Sequence, residues 1–257
     1  MIKKLSLIFL SLFLINCSPQ QVVSDYANIK VIEVIDGDTV KLDNGKLLRY
    51  LGLDTPETRI KKGNKFIYSP QPFAKEAKQF NQRLVEGKFI RIEFDQERTD
   101  KYNRLLGYCF IDNTFINAVL ISEGLASVMN KPPNVKYASL FISYQKEAKD
   151  KKRGMWGVYE AIDHSQAYRY LNQIRTVKGK VTDIYTSDKC VFINFGDDYK
   201  KDFTVVIFND SIKYFKKEGI NPSTFYKGKT IAVSGKIREY NGPEIIVNMP
   251  GEIEVIP

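Results

Sequence analysis

The stretch of residues 35–57, IDGDTVKLDNGKLLRYLGLDTPE, constrains the fold more than any other part of the sequence. Asn44-Gly45 is a strong hairpin signal, and apolar residues alternate with polar ones on both sides of it. The pattern predicts a strand meander over residues 30–53. Pro56 then ends regular pairing, because proline has no backbone N–H to donate.

Two aspartates lie at the turns of this meander, Asp38 after the first turn and Asp54 after the last strand. Since adjacent strands lie about 5 Å apart, the two carboxylates can meet across the sheet. With a carbonyl oxygen from the irregular turn at Thr55, they would form an oxygen-rich site that suits Ca²⁺ or Mg²⁺ better than zinc. Arg49 beside them indicates a substrate with phosphate oxygens. Taken alone, each acid is more typical of an ordinary turn, and it is the combination that points to a site.

A second charged loop, residues 95–107 (DQERTDKYNRLLG), lies between two strand-like runs. It can be read as a solvated hairpin loop without a function. It can also be read as a phosphate-binding loop, in which Arg104 supplies a second guanidinium and Lys101 and Tyr102 contact flanking phosphates.

Apolar residues at helical spacing predict three helices, over residues 72–86, 114–122 and 135–153, with Thr114 as the cap of the second. Combined with about five strands, these helices indicate a small closed barrel with helices attached.

Taken together, IDGDTV, the Arg49 strand, LDTPET, PFAKEA and RTDKYNR resemble staphylococcal nuclease and its relatives, over residues 27–157. The resemblance implies a mainly β fold with α-helices, namely a five-stranded OB-type barrel plus three helices. It also implies a calcium-dependent nuclease that hydrolyses phosphodiester bonds of DNA, with RNA left open, and leaves 3′-phosphate ends.

The resemblance also implies roles for the individual acids. Asp38 and Asp54 match the calcium-binding aspartates of the family, and Thr55 matches the residue whose main-chain carbonyl binds calcium. Glu57 matches the general base that takes a proton from the attacking water. A bound calcium ion would position that water and polarise the phosphoryl oxygen.

The basic residues carry over in the same way. Arg49 and Arg104 match the two arginines that bind the phosphate, where they neutralise the charge of the transition state. Lys101 and Tyr102 match residues that contact a neighbouring phosphate of the nucleotide. In this resemblance Arg49, Glu57 and Arg104 are catalytic, whereas Lys101 and Tyr102 bind substrate.

Two departures from the family pattern stand out. Met129 and Asn130 occupy positions where tyrosines of the family stack on the base and sugar. Stacking is worth about 1–3 kcal/mol per base, so we expect weaker nucleotide affinity or a different stacking partner. The loop of residues 59–72 is long and basic, and it is either a mobile insertion or a flap that helps to hold a polyanion.

The net charge of +9 over 257 residues favours an anionic partner, whether nucleic acid, lipid or wall polymer. The only histidine, His164, lies outside the nuclease-like block and is expected to be an exposed linker residue. This excludes histidine-pair ribonucleases, histidine-metal nucleases and Ser-His-Asp hydrolases. Cys109 and Cys190 are expected to be buried free thiols.

Residues 1–16 have the pattern of a bacterial export signal, with two lysines before a short apolar core. The residues before Cys17 resemble a lipobox, although Asn16 is atypical at its position. We therefore expect a lipoprotein, attached to the membrane of the bacterial cell envelope through Cys17, with residues 17–26 as a tether. An uncleaved anchor or ordinary secretion is the alternative.

After a linker over residues 158–175, residues 176–257 contain about five strand-like runs and one short helix. The pattern resembles an OB-fold nucleic-acid-binding module and predicts a second OB-like barrel. Such a domain can act as a capture module for single strands or as a structural spacer. The rival functions for the whole chain, which we expect to be a monomer, are a non-catalytic nucleic-acid-binding lipoprotein and an envelope adhesin.

Overall fold

The computed structural model describes residues 26–63 and 65–257. The predicted signal peptide, Cys17 and nearly all of the predicted tether lie outside the described residues. Within the described ranges, no helix is long and apolar enough to cross a membrane.

The first unit, residues 26–158, combines strands with four helices among its described residues. Its strands are β1 (Ile29–Asp36), β2 (Thr39–Leu42), β3 (Leu47–Tyr50), β4 (Gly52–Asp54), β5 (Arg59–Lys62), β6 (Lys65–Tyr68), β7 (Phe89–Glu93), β8 (Leu105–Ile111), β9 (Thr114–Phe115) and β10 (Ser127–Met129). Its helices are α1 (Ala74–Val85), α2 (Ile116–Ser122), α3 (Ala138–Asp150) and α4 (Met155–Val158).

Five of these strands close into a barrel in the order β3-β2-β1-β7-β8, because β8 also pairs with β3. The closing pair is parallel and sets Leu48 opposite Leu105 and Arg49 opposite Leu106. Inward-facing side chains such as Val34, Val40 and Leu48 are fully buried and form the core. The predicted five-stranded barrel with attached helices is thus confirmed.

The helix boundaries differ from the predicted ones. Helix α1 begins only at Ala74, because Phe73 before it has a left-handed backbone conformation (φ 68°). Thr114 is not a helix cap, since it pairs with Ile111 of β8, and α2 begins at Ile116 after Phe115. Local spacing predicted these helices, whereas strand pairing and backbone turns decide where each begins.

The second unit, residues 159–257, is built on two sheets around a separate core. Its strands are β11 (Ile162–Asp163), β12 (Ile174–Lys180), β13 (Asp183–Thr186), β14 (Cys190–Asn194), β15 (Thr204–Phe208), β16 (Thr230–Lys236), β17 (Arg238–Glu239), β18 (Pro243–Ile246) and β19 (Ile253–Ile256). Its α-helices are α5 (Asn209–Lys217) and α6 (Pro222–Phe225), and 3-10 helices cover His164–Tyr170 and Pro250–Glu252.

The sheets of the second unit have the orders β11-β12-β16-β19 and β13-β14-β15-β18-β17. Among the described residues, no strand of one sheet pairs with a strand of the other. The predicted second barrel is therefore not confirmed. The predicted linker was expected to hold a short helix, and a 3-10 helix covers His164–Tyr170 within it. The linker also contains β11, which pairs in parallel with Val177 and Lys178 of β12 just beyond it. The predicted domain boundaries stay predictions.

The isolated histidine and the cysteines have clear environments. His164 is half-buried rather than exposed, so that expectation was wrong: it lies 5.5 Å from the Phe195 ring and packs over Gly179. A Cβ atom at Gly179 would come within 2.5 Å of the imidazole. Cys109 and Cys190 are both buried and free, as predicted.

The two units are joined through specific contacts. The Asn130 amide donates to Oε1 of Glu252 at 2.8 Å, and the Asn248 amide donates to the Asn130 carbonyl at 2.7 Å. Met155 and Trp156 pack with Ile174 in a small apolar cluster. Because these bonds use buried or half-buried groups, the relative position of the units is well defined.

Glu252 makes this junction sensitive to pH. The residue is half-buried, and desolvation of its carboxyl group raises the pKa to about 7, although neighbouring N–H groups oppose the shift. In the unfolded chain the pKa of a glutamate is about 4.3. The stabilisation that the folded state gains from binding a proton at Glu252 is therefore fully present below about pH 4.3. It is lost as the pH rises through about 7.

Glutamine at position 252 cannot titrate. The free energy of unfolding of Glu252→Gln, relative to that of the native chain, is therefore expected to be higher at about pH 8 than at about pH 5. Urea unfolding at both pH values measures this difference. The exposed neighbour Glu254, changed to glutamine, is the matched control. A Glu252→Gln effect that does not change with pH would contradict the raised pKa.

Candidate active site

Asp38 lies in a buried pocket at the start of β2. Its Oδ2 accepts hydrogen bonds from both the N–H and the hydroxyl of Thr55 at 3.0 Å, and Oδ1 accepts one from Thr39 at 3.0 Å. Gly37 allows this approach, since a Cβ atom there would come within 2.9 Å of Thr55 and Ala77. The Asp-Gly-Asp turn is therefore needed to bring the Thr55 loop onto Asp38.

Arg49 joins the two predicted metal aspartates. Its position on β3, directly opposite Thr39 of β2, is fixed by the sheet register. One end of the guanidinium forms an ion pair with Asp38, and the other donates to Oδ1 of Asp54 at 2.7 Å. Burial lowers the pKa of Arg49, but the two aspartates outweigh it and leave the pKa raised.

This arrangement differs from the expected one in a single respect. The resemblance gives Arg49 a phosphate to bind, whereas here its partners are carboxylates. A phosphate contact by Arg49 would require the guanidinium to turn from at least one of these aspartates. Its assignment to the phosphate stays a prediction.

The donor set around these residues fits a hard cation. Asp38 and Asp54 converge on one positive group, and Oδ2 of Asp54 is buried without a hydrogen-bond partner among the described residues. No group of three or more His, Cys, Asp or Glu side chains with metal-binding geometry occurs in the described ranges. A cation would therefore take two carboxylates, and carbonyl, water or phosphate oxygens would complete its shell.

Glu57 stands at the edge of the same site, and its side chain is 40% exposed. Desolvation raises its pKa, Lys236 lowers it, and Asp38 and Asp54 raise it further, so the net shift is upward. An elevated pKa suits a residue that has to accept a proton near neutral pH.

The backbone around Glu57 is tightly held. Oε1 of the Gln71 side chain accepts a hydrogen bond from the Glu57 N–H at 3.0 Å. The backbone N–H of Gln71 donates to the Glu57 carbonyl at 2.9 Å. The side-chain amide of Gln71 also donates to the Asn172 carbonyl of the second unit at 2.6 Å. On the other side, the Thr58 N–H donates to Oδ1 of Asp36 at 3.3 Å.

The loop of residues 95–107 presents its predicted residues at the surface. Asp100 accepts from Nε of Arg104 at 2.8 Å and from its N–H at 3.0 Å, which fixes the arginine just before β8. Tyr102 is 69% exposed, and the Lys101 ammonium lies 5.2 Å from its ring. These residues are accessible to a phosphate backbone, but among the described residues no hydrogen bond or ion pair links Arg104 to Arg49 or Glu57.

The departures from the family pattern have structural explanations. The long basic loop forms the hairpin of β5 and β6, on which Phe66 is 70% exposed. Met129 ends β10, which pairs with β4 beside Asp54. Asn130 is buried, because the second unit covers it. The surface that would carry stacking tyrosines is thus an interface here.

Sequence reasoning missed one charged residue of the site. Lys236, at the end of β16 in the second unit, donates from Nζ to Oε1 of Glu57 at 2.9 Å. Its side chain is only 20% exposed. The sequence around it, SGKI, alternates like any strand and carries no signal that could have indicated this contact.

A family model described as staphylococcal nuclease homologue matches residues 47–158. Thermonuclease of Staphylococcus hyicus is 40% identical over 130 residues, which are 49% of this chain and 74% of that protein. This chain belongs to the staphylococcal nuclease homologue family. The resemblance predicted from the motifs is confirmed.

Other members show how much of each protein is shared. Endonuclease YncB of Bacillus subtilis (strain 168) is 41% identical over 134 residues, which are 50% of this chain and 61% of YncB. Thermonuclease of Staphylococcus intermedius is 39% identical over 129 residues and is covered to 74%. The family model ends where the second unit begins, so the contacts from Lys236 and Asn172 come from outside the matched segment.

Proposed function

We propose that this protein is a nuclease that hydrolyses phosphodiester bonds of DNA, with RNA as a second substrate to be tested, and that it depends on calcium. The observation that carries the proposal is the convergence of Asp38 and Asp54 on one buried positive group beside Glu57. Relatives named thermonuclease and endonuclease, at about 40% identity, support the same activity.

In this mechanism Asp38 and Asp54 would hold calcium, together with the main-chain carbonyl of Thr55. The bound ion would supply Lewis-acid polarisation of the phosphoryl oxygen. Glu57 takes the proton of the attacking water, which it can do because its carboxyl group is partly exposed and has a raised pKa. Attack that breaks the bond to the 5′ oxygen leaves a 3′-phosphate.

The cationic residues bind the polyanion. Arg104 lies at the surface with 30% of its side chain exposed, and it can donate paired N–H groups to phosphate oxygens. Lys101 and Tyr102 on the same loop would contact a neighbouring phosphate. Arg49, once turned toward the scissile phosphate, would neutralise the charge of the transition state.

Metal removal tests the proposal directly. The soluble form, residues 18–257, is expected to cleave single- or double-stranded DNA in calcium and to lose this activity in a chelator, with magnesium and RNA as parallel arms. Analysis of the product ends distinguishes 3′- from 5′-phosphate. Tight binding without cleavage in any metal would instead support a non-catalytic nucleic-acid-binding protein.

For the location, we propose a lipid anchor at Cys17 in the bacterial cell envelope, supported by the export-signal pattern of residues 1–16. Fractionation of cells that produce the full chain or its Cys17→Ser variant tests this. The native chain is expected in the membrane fraction and the variant outside it. Equal distribution of the two would contradict the anchor.

A further inference from the structure

A groove of about 450 Å³ runs between the two units and begins at Asp54 of the active site. One wall is the chain after β10, from Met129 to Lys131, and the other comes from Lys236, Arg238 and Phe208 of the second unit. The groove therefore continues the active site into a part of the chain that the family model does not match.

Lys236 marks the inner end of the groove. Its ammonium lies 2.9 Å from the Glu57 carboxylate, which is its only ion-pair partner among the described carboxylates. A lysine ammonium has three N–H donors. It can therefore keep its bond to Glu57 and donate to a phosphate oxygen that enters beside it.

The outer part of the groove carries two cations, Arg238 and Lys131, on opposite walls. Arg238 is exposed, and the one hydrogen bond described for its guanidinium is a 4.0 Å contact to the sulfur of Met129. Lys131 is exposed on the opposite wall. Neither residue forms an ion pair within the described ranges, so both can donate to an anion. Glu244 is the acid nearest to Arg238 in the sheet register, and the charge of Arg238 opposes the rise in the Glu244 pKa that burial causes. Since three cations, Lys236, Arg238 and Lys131, line one groove that begins at Asp54, their number fits a polyanionic chain better than a single small anion.

The groove also offers an aromatic surface. Phe208 is 43% exposed at the end of β15, and Ile246 of β18 lies on the same face of the sheet, because the parallel register places Val206 opposite Ile246. Met129 and Asn130, which face this wall, are the positions where the family carries stacking tyrosines. Phe208 is thus the ring available to a base at this side of the active site.

We propose that this groove is a subsite for the polynucleotide strand beyond the scissile phosphate, with Lys236 and Arg238 contacting phosphates and Phe208 contacting a base. The inference rests on the proposed function, since it takes the substrate to be a polynucleotide. It assigns the second unit a direct part in substrate binding. The groove is preformed, because Asn130, Asn248 and Glu252 fix its floor by hydrogen bonds between the units.

Binding of labelled single-stranded DNA of about 15 nucleotides, measured in chelator, tests the groove without cleavage. Phe208→Ala is expected to raise the Kd about 5- to 150-fold, the factor that corresponds to the loss of one base stack. Arg238→Ala is expected to reduce the slope of log affinity against log salt by about 0.7, the share of one phosphate contact on a single strand. The exposed Lys217 of α5, changed to alanine, is the matched control outside the groove.

Lys236 is tested by two variants. Lys236→Ala is expected to lower the salt slope by about 0.7, whereas Lys236→Arg retains the positive charge and the slope. A purely structural role for Lys236 would change the urea midpoint of unfolding without changing this slope. Because Arg238 is exposed, its variant remains informative even if the Lys236 or Phe208 variants fail to fold.

The outcomes separate the two proposals. If the native chain cleaves DNA in calcium while the Arg238→Ala and Phe208→Ala variants bind like Lys217→Ala, the groove is not a subsite and the nuclease proposal stands. If the native chain cleaves nothing but loses affinity in the groove variants, the nuclease proposal fails and the groove remains a nucleic-acid site. A strand of about 4 nucleotides should show smaller effects than the long strand, because fewer of its phosphates reach the groove.

Discussion

Replacement of Glu57 with glutamine is expected to lower kcat on DNA by about 100- to 10,000-fold, the range that a general base contributes. The amide keeps the size of the side chain and can still accept a hydrogen bond from Lys236, but it cannot take a proton from water. Steady-state cleavage of DNA in calcium measures the effect. Binding in chelator should change little in comparison, because the lost step is chemical.

The control for this variant is Glu33→Gln on β1, which removes the same charge from an exposed position outside the site. It is expected to cleave DNA like the native chain. If Glu57→Gln retained the native kcat, another residue would have to act as the base, and the assignment of Glu57 would be wrong.

Replacement of Arg49 with methionine is expected to cost about 3–5 kcal/mol of the free energy of unfolding in chelator, because it leaves Asp38 and Asp54 buried without their positive partner. Calcium is expected to restore part of this loss, about 2.7 kcal/mol at a hundredfold excess over its Kd. Urea unfolding with and without calcium measures both effects.

Arg91 on β7 provides the matched control, since it is a 45% exposed arginine whose ion pair with Glu93 spans 3.5 Å. Its replacement with methionine is expected to cost under about 1 kcal/mol, as is usual for surface ion pairs. Calcium is expected to raise the free energy of unfolding of Arg91→Met no more than that of the native chain, and that of Arg49→Met by more. This outcome would support a cation site between the two aspartates. If Arg49→Met is no more responsive to calcium than the control, the two carboxylates do not bind the ion.

The core of the site could be predicted from the sequence because it is built from near neighbours. Tight turns and alternating apolar residues fix the register of β2 and β3, and that register sets Arg49 opposite Thr39 beside Asp38. Arg49 and Arg104 differ from the prediction in their partners. They were predicted to bind phosphate, but in the structure they bind carboxylates. Side-chain pairing depends on rotamers and on nearby acids such as Asp100, which strand periodicity does not determine.

The contribution of the second unit could not be predicted in the same way. Lys236 reaches Glu57 across 179 positions of the chain, and such a contact depends on how two separate cores meet. The predicted second barrel shows a related limit. Apolar runs indicated most of its strands, but they did not indicate that β15 would pair in parallel with β18 or that the strands would separate into two sheets.

The joined arrangement of the two units limits how this protein can be shortened. A chain that ended at residue 158 would leave Asn130 without its partner Glu252 and would remove Ile174 from the apolar cluster around Trp156. It would also leave the Gln71 side chain, which holds the Glu57 backbone, without the Asn172 carbonyl. We therefore expect the nuclease-like unit to be less stable when it is cut from the second unit, so its activity is best measured on the intact chain.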